Sequence, residues 1–216
     1  MKKLVVVGAG KFAREMLWMV EECNAVKPEW EILGCVDDTP EKQGTSLYGY
    51  PILGPISTLY TWPEKMFVTI PMGNGLARRT LVQTLRQNPN VCFAVIRARQ
   101  STLGKNIFLG EGSIFCAHSL ATVDVSIGAH CVINVGCTLS HDVVLKDYVT
   151  LSPGVHICGN SVLEEGCFVG AGATIIEQRH IGPNVVIGAG AVVVQDLLKP
   201  GTYVGVPARK VRETDE

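Results

Sequence analysis

From Leu103 to Val193 an apolar residue returns at every sixth position without an insertion. The series is Leu103, Leu109, Phe115, Ala121, Ile127, Ile133, Leu139, Leu145, Leu151, Ile157, Leu163, Val169, Ile175, Ile181, Ile187 and Val193. Fourteen of these sixteen residues are Leu, Ile or Val. A fixed short period marks a solenoid, and a six-residue period specifies a parallel β-helix. An α-helix would repeat near 3.6 residues. A sandwich of short strands would need uneven spacing and hairpin turns such as Asn-Gly, and neither occurs between 103 and 193.

The other repeat positions suit a narrow coil. The fifth is small or β-branched, as at Ser113, Ser119, Val125, Cys131, Cys137 and Val143, which leaves room beside the branched first residue. The second is often glycine, at Gly104, Gly110, Gly128, Gly170, Gly182 and Gly188. These glycines are expected to relieve the backbone where the chain turns a corner.

The first hundred residues follow another pattern. Lys3 to Val7 reads as a buried parallel strand. Gly8-Ala9-Gly10-Lys11-Phe12-Ala13 follows at once, a G-x-G-x-x-A between strand and helix, and the helical pattern runs from Arg14 to Cys23. Glycines there permit a tight turn and close backbone approach, and a helix N-terminus favours a phosphate. A second strand, Glu31 to Val36, ends in Asp37-Asp38, where an acid could accept hydrogen bonds from a ribose or a base. A third, Met66 to Ile70, leads into Gly73-Asn74-Gly75 and a helix carrying Arg78 and Arg79. A last strand, Val91 to Ile96, runs toward the solenoid. This is a Rossmann-like half. No second half and no oxidoreductase domain follow, which favours a sugar nucleotide over NAD. Boundaries are expected at 1–98, 99–198 and a C-terminal tail at 199–216.

Size and charge exclude several classes. A 216-residue chain has room for one large or two small domains. A net charge of −1 implies no nucleic-acid partner. No run approaches a membrane span, and Leu4 to Gly10 is too short and glycine-rich for a signal peptide. Of eight cysteines, none forms a C-x-x-C pair, so no disulfide framework and no metal site are expected. Cys131, Cys137 and Cys167 fall on inward positions and read as buried reduced thiols of a cytoplasmic protein.

Polar exceptions within the repeats carry the chemistry. Of five histidines, only His141 is followed by an acid, in Leu139-Ser140-His141-Asp142. The pair occupies the third and fourth repeat positions, away from the inward ones. An outward histidine can act as a general base, and a carboxylate beside it can orient the imidazole and raise its basicity. The residues alone also allow an exposed histidine without a role, since exposed histidines are common. Ser140 adjoins the base instead of being aimed at it, which disfavours covalent catalysis. Asn134, at a second position, either reaches a ligand or adopts a left-handed corner, which Asn tolerates. The corner is the expectation.

Hexapeptides, a small leading Rossmann-like domain with Asp37-Asp38, His141-Asp142 and Gly205-Val206-Pro207-Ala208 together resemble one family. It is the sialic acid O-acetyltransferase type of hexapeptide acyltransferases, which includes N-acetyltransferases of nucleotide-linked 4-amino-4,6-dideoxy sugars. The resemblance implies a left-handed β-helix, three hexapeptides per coil and a homotrimer. It implies acetyl-CoA in a groove between adjacent subunits, with a nucleotide sugar held by the front domain. The base then maps onto His141 and its acid onto Asp142. Sugar-nucleotide contacts map onto Gly8, Gly10, Lys11, Phe12, Asp37, Asp38 and Gly54, and acetyl-CoA contacts onto Thr150, Ala171 and Ala189. Many members carry histidine where Thr150 stands. The rival readings are O-acetylation of a sugar hydroxyl, an acyl donor other than acetyl-CoA, and a non-enzymatic nucleotide-binding scaffold. Whether the nucleotide is UDP, dTDP or GDP stays open.

Overall fold

The computed structural model describes residues 1–212. Its front lobe comprises β1 (Lys2–Val7), α1 (Lys11–Asn24), β2 (Trp30–Val36), β3 (Met66–Thr69), α2 (Gly75–Leu85) and β4 (Val91–Phe93). The strands form one parallel sheet in the order β2-β1-β3-β4. The run Leu4 to Val7 is buried because β1 is a central strand covered on both faces. α1 buries Ala13, Met16, Leu17 and Val20, the i, i+3, i+4, i+7 stripe of an amphipathic helix. The strand expected over 91–96 divides. Val91–Phe93 completes the front sheet, and Ile96–Arg97 pairs instead with Ile114–Phe115 in the solenoid.

Among the described residues the solenoid has three faces, parallel but for the antiparallel last strand of the first, and numbered in chain order. Face I has eight strands, running from Ile96–Arg97 through Val132–Ile133 and Thr150–Leu151 to Arg209–Arg212. Face II has six, from Thr102–Lys105 through Thr138–Leu139 to Val192–Val193. Face III has five, from Phe108–Leu109 through Val144–Leu145 to His180–Ile181. Val132 pairs with Thr150, and Thr150 with Phe168, so three hexapeptides make one rung. First and fifth residues of the repeats fill the interior, among them Ile133, Cys137, Leu139 and Val143.

Where the inward fifth residue is polar, it donates to a carbonyl fifteen residues on. Ser113 Oγ bonds Gly128 O at 2.8 Å, Ser119 Oγ bonds Asn134 O at 2.7 Å, and Cys131 Sγ bonds Lys146 O at 3.1 Å. A buried donor satisfied in this way does not carry the desolvation penalty of an unpaired one. All eight cysteines are free, and burial pushes the thiols of Cys131 and Cys167 up to about 12 and that of Cys137 up to about 11.

The corner turns on the fourth repeat position, not the second. φ is positive at Asn106, Gly112, His118, Asp124, His130, Gly136 and Asp142, and at each sixth residue onward to Gly190. The second-position glycines have ordinary φ and serve close approach of rungs. A Cβ on Gly110 would lie 2.4 Å from the carbonyl carbon of Gly128 in the next rung. Residues 199–212, set apart in the sequence as a tail, include two strands. Gly201–Val204 pairs parallel with Val185–Ile187, and Arg209–Arg212 returns antiparallel along it.

The front lobe sits on face I. Met16, Leu17 and Val20 of α1 share one buried cluster with Ile96, Ile114 and Val132 of that face. α2 docks at the III/I corner, where Arg79 pairs with Glu165, and Arg86 at its end pairs with Glu111. The two lobes therefore share a core.

Candidate active site

His141 stands on the II/III corner, between Thr138–Leu139 and Val144–Leu145. Its side chain is 57% exposed and that of Asp142 is 52% exposed. Nδ1 of His141 lies 2.9 Å from Oδ2 of Asp142. Asp142 takes the left-handed fourth position with φ 59°, which turns its carboxylate back beside the preceding imidazole. Gly159, one rung on, lies against the ring: a Cβ there would come within 2.5 Å of Cε1. His141 O also accepts from Asn160 N at 3.0 Å. The imidazole is thus oriented at one nitrogen, seated on a flat glycine and open to the outside.

The II/III corner is opposite face I, and face I carries the front lobe. In that lobe Gly8–Gly10 follow β1 and Asp37-Asp38 follow β2, at the carboxyl ends of the strands where open α/β sheets bind ligands. Gly8 has φ 94° and donates to Val36 O at 2.7 Å. Asp37 is buried and committed: Oδ2 accepts from Ala9 N at 2.6 Å and from Lys42 Nζ at 2.9 Å, and Oδ1 from Thr39 N at 2.9 Å. Burial alone would raise its pKa, but the donors from Thr39, Ala9 and Lys42 outweigh it and hold the carboxyl well below the usual range. Asp38 Oδ1 accepts from Ile56 N at 2.8 Å. Gly54 O accepts from Asp37 N at 3.1 Å, and Gly54 has φ 140°, where a Cβ would lie 2.7 Å from Thr58 Oγ1. Lys11 is exposed and Phe12 half-buried at the start of α1. That helix has no side-chain cap, whereas Asn74 caps α2 by accepting from Ala77 N at 3.0 Å.

The remaining residues fall elsewhere. Ala171 and Ala189 are exposed, one above the other on the I/II corner, joined by Gly190 N to Ala171 O at 2.8 Å. Thr150 is not with them. It lies under the front lobe on face I, 4% exposed, and Oγ1 accepts from Arg78 Nη2 at 3.0 Å. Its hydroxyl is enclosed between the lobes and already bonded. Asn134 does not have a left-handed backbone. Its Oδ1 accepts from Val135 N at 2.8 Å, which keeps the side chain local.

Sequence reasoning missed Gly159, whose role shows only once the rungs are stacked. It also missed Arg78, which is 1% exposed. Arg78 Nε donates to His130 O at 2.7 Å and Nη2 to Tyr148 O at 3.0 Å, and Nη1 donates to Met72 O in the loop after β3. His130 itself is 1% exposed, stacked on Tyr148 with centroids 5.2 Å apart and edge-on to Phe93 at 4.8 Å. Among the described residues no group of three or more His, Cys, Asp or Glu is placed to hold a metal ion, and no helix is long and apolar enough to cross a membrane.

Residues 3–85 match the PglD N-terminal domain family, and residues 160–195 match the bacterial transferase hexapeptide (six repeats). The GDP-perosamine N-acetyltransferase of Escherichia coli O157:H7 is 26% identical over 190 residues, 86% of this chain and 82% of that protein. The chain is a hexapeptide-repeat acyltransferase with a PglD-type N-terminal domain. The acetyltransferase domain of PglB from Neisseria gonorrhoeae FA1090, solved in complex with acetyl coenzyme A, superposes on this acyltransferase with a TM-score of 0.87 at 28% identity, covering 97% of this chain and 99% of that one. WeeI from Acinetobacter baumannii AYE superposes with a TM-score of 0.86 at 29% identity, covering 98% of this chain and all of the other.

Proposed function

We propose that the chain is an acetyl-CoA-dependent N-acetyltransferase acting on the 4-amino group of a nucleotide-linked 4-amino-4,6-dideoxyhexose, with His141 as general base. The observation that carries this reading is the exposed imidazole held at Nδ1 by Asp142 and seated on Gly159. With Nδ1–H donating to the carboxylate, Nε2 has the lone pair that accepts a proton. The amine nitrogen forms a bond to the thioester carbonyl carbon, and its proton moves to Nε2. The C–S bond then breaks and the proton passes to the departing thiolate. Asp142 stabilises the intervening imidazolium, and a backbone N–H of the coil stabilises the oxyanion.

Two further features support the reading. The uncapped first turn of α1 leaves N–H groups for a diphosphate, beside Gly8, Gly10, Lys11 and Phe12. Asp37 holds that loop through Ala9 N, with Asp38 and Gly54 beside it. Ala171 and Ala189 offer a small-residue column along which the pantetheine of acetyl-CoA can approach the backbone. The front lobe lies on face I and His141 on the opposite corner, so one chain does not close the site alone. A homotrimer that sets the II/III corner of one subunit against the I/II corner of the next would join base, thioester and sugar. The relative from Escherichia coli O157:H7 is named for GDP-perosamine, a nucleotide-linked amino sugar.

The test is a panel of 4-amino sugar nucleotides on UDP, dTDP and GDP, with their 4-hydroxy counterparts, followed by thiol release from acetyl-CoA. Turnover confined to an amine supports the reading. Turnover confined to a hydroxyl replaces it with O-acetylation, and failure to bind acetyl-CoA removes the enzymatic reading.

A further inference from the structure

A cavity of about 240 Å³ lies between α1 and the I/II corner of the solenoid. Phe12, Trp18, Met19, Cys116, Ala117 and Val135 line it, and Glu15 and His118 add its polar groups. Its position is informative. Phe12 is the second residue of α1 and follows directly on the Gly8–Gly10 loop, so a group attached to a phosphate at that helix N-terminus comes to its mouth. Ala117 and Val135 also begin a column on the I/II corner that continues through Pro153 to Ala171 and Ala189. Gly136 N bonds Ala117 O at 3.1 Å, Gly154 N bonds Val135 O at 3.0 Å, and Gly172 N bonds Pro153 O at 2.9 Å. Val135 and His141 flank the same face II strand, Thr138–Leu139, so they share a rung. The cavity therefore lies between the loop suited to a diphosphate and the level of the proposed base.

We propose that this cavity receives the deoxygenated edge of the acceptor sugar, its C5–C6 methyl group, and selects against a hydroxyl at C6. The proposal rests on the nucleotide-sugar reading and adds the residues that set its specificity. A methyl group against Phe12, Met19 and Val135 loses only water. A hydroxymethyl group pushed against the same walls exchanges water for carbon and leaves a polar group unpaired. Glu15 and His118 are exposed and can serve ring hydroxyls that point outward.

The experiment compares two 4-amino sugar nucleotides that differ only at C6, methyl against hydroxymethyl, with the full chain and acetyl-CoA. The expected preference in kcat/KM for the 6-deoxy compound is about 10–10²-fold, the range apolar pockets reach against an added hydroxyl. Val135→Phe fills the cavity from its open side, because Val135 is 40% exposed and outside the solenoid core. Its sugar-nucleotide KM should rise roughly 10-fold, more than the KM for acetyl-CoA, while inhibition by the free nucleoside diphosphate and the melting temperature stay unchanged. Trp18→Ser should narrow the preference. Equal kcat/KM for both compounds, a Val135→Phe variant with unmoved sugar KM, or one whose acetyl-CoA KM rises more than its sugar KM would each overturn the assignment. Turnover of neither compound would overturn the nucleotide-sugar reading itself.

Discussion

The imidazole of His141 and the α-carbon of Gly159 are packed so closely that a methyl group at 159 would lie 2.5 Å from Cε1 and 2.6 Å from Nε2. Gly159 has an ordinary φ, so alanine is conformationally allowed there and the ring has to move. The ring is exposed, and moving it costs little stability. A catalytic group displaced by about 1 Å can lose ~10²-fold in rate. Gly159→Ala is therefore expected to lower kcat by roughly 10–10² with a melting temperature close to that of the parent. Steady-state kinetics beside thermal unfolding check both halves, and unchanged kcat would separate the ring's present seat from catalysis.

His141→Ala should lower kcat by ~10²–10⁴ if the imidazole removes the amine proton. Asp142→Asn is the more discriminating change. Asn tolerates the left-handed backbone at 142, so the corner survives while the charge is lost. Its kcat should fall by about 10-fold or more, yet less than for His141→Ala. Equal losses in the two variants would mean that the imidazole is no base without its carboxylate.

The six-residue period made the solenoid core legible because one slip of register would carry polar residues inward. It misassigned the corner. Glycine is common at two positions for different reasons, close approach at Gly110 and left-handed backbone at Gly112, and composition does not separate them. Thr150 acquires its side-chain partner only when the lobes dock. Nine residues from His141 is half of a three-sided rung, so the two point to different sides of the coil. Arg78 and His130 carry no periodic signal, since each is ordinary until the lobes dock. Tyr148 is a bulky residue at the left-handed fourth position, φ 60°, and its ring stacks on His130.

Arg78→Met is expected to destabilise the chain by about 2–5 kcal/mol. Burial pushes the guanidinium pKa down to about 10, so it stays charged at neutral pH. It donates to carbonyls of both lobes, and its loss strands Met72 O, His130 O and Tyr148 O. Arg78→Lys should recover little, because an ammonium does not reproduce the planar fork. Urea unfolding checks this, and a near-wild-type midpoint for Arg78→Met would show that the docked lobes do not depend on it.

Asp37→Ala should raise the sugar-nucleotide KM more than it lowers kcat. The carboxylate is filled by Ala9 N, Thr39 N and Lys42 Nζ, so the loss acts through the shape of the Gly8–Gly10 loop. Acetyl-CoA KM should not move. An unchanged sugar-nucleotide KM would place the sugar nucleotide outside this crevice.

His130 supplies a pH dependence of stability with a definite sign. Burial pushes its pKa down to about 4 from an ordinary value of 6.5, with Glu111 raising it and Arg86 and Arg78 lowering it further. The unfolded chain therefore binds a proton between those pH values that the folded chain refuses. Stability is fully present above about pH 6.5 and is lost as pH falls toward 4, by at most roughly 3 kcal/mol at about 1.4 kcal/mol per unit. His130→Asn keeps a residue suited to φ 55° and does not titrate. It should be less stable at pH 7.5, having lost the rings of Tyr148 and Phe93. Between pH 6.5 and 4 its deficit relative to the parent should shrink, because the parent alone acquires the cost of a buried imidazolium. Thermal unfolding of both chains across that range reads the difference directly, and carboxylate titrations common to both cancel. A deficit that stays constant from pH 7.5 to 4 would show that His130 titrates alike in the folded and unfolded chain.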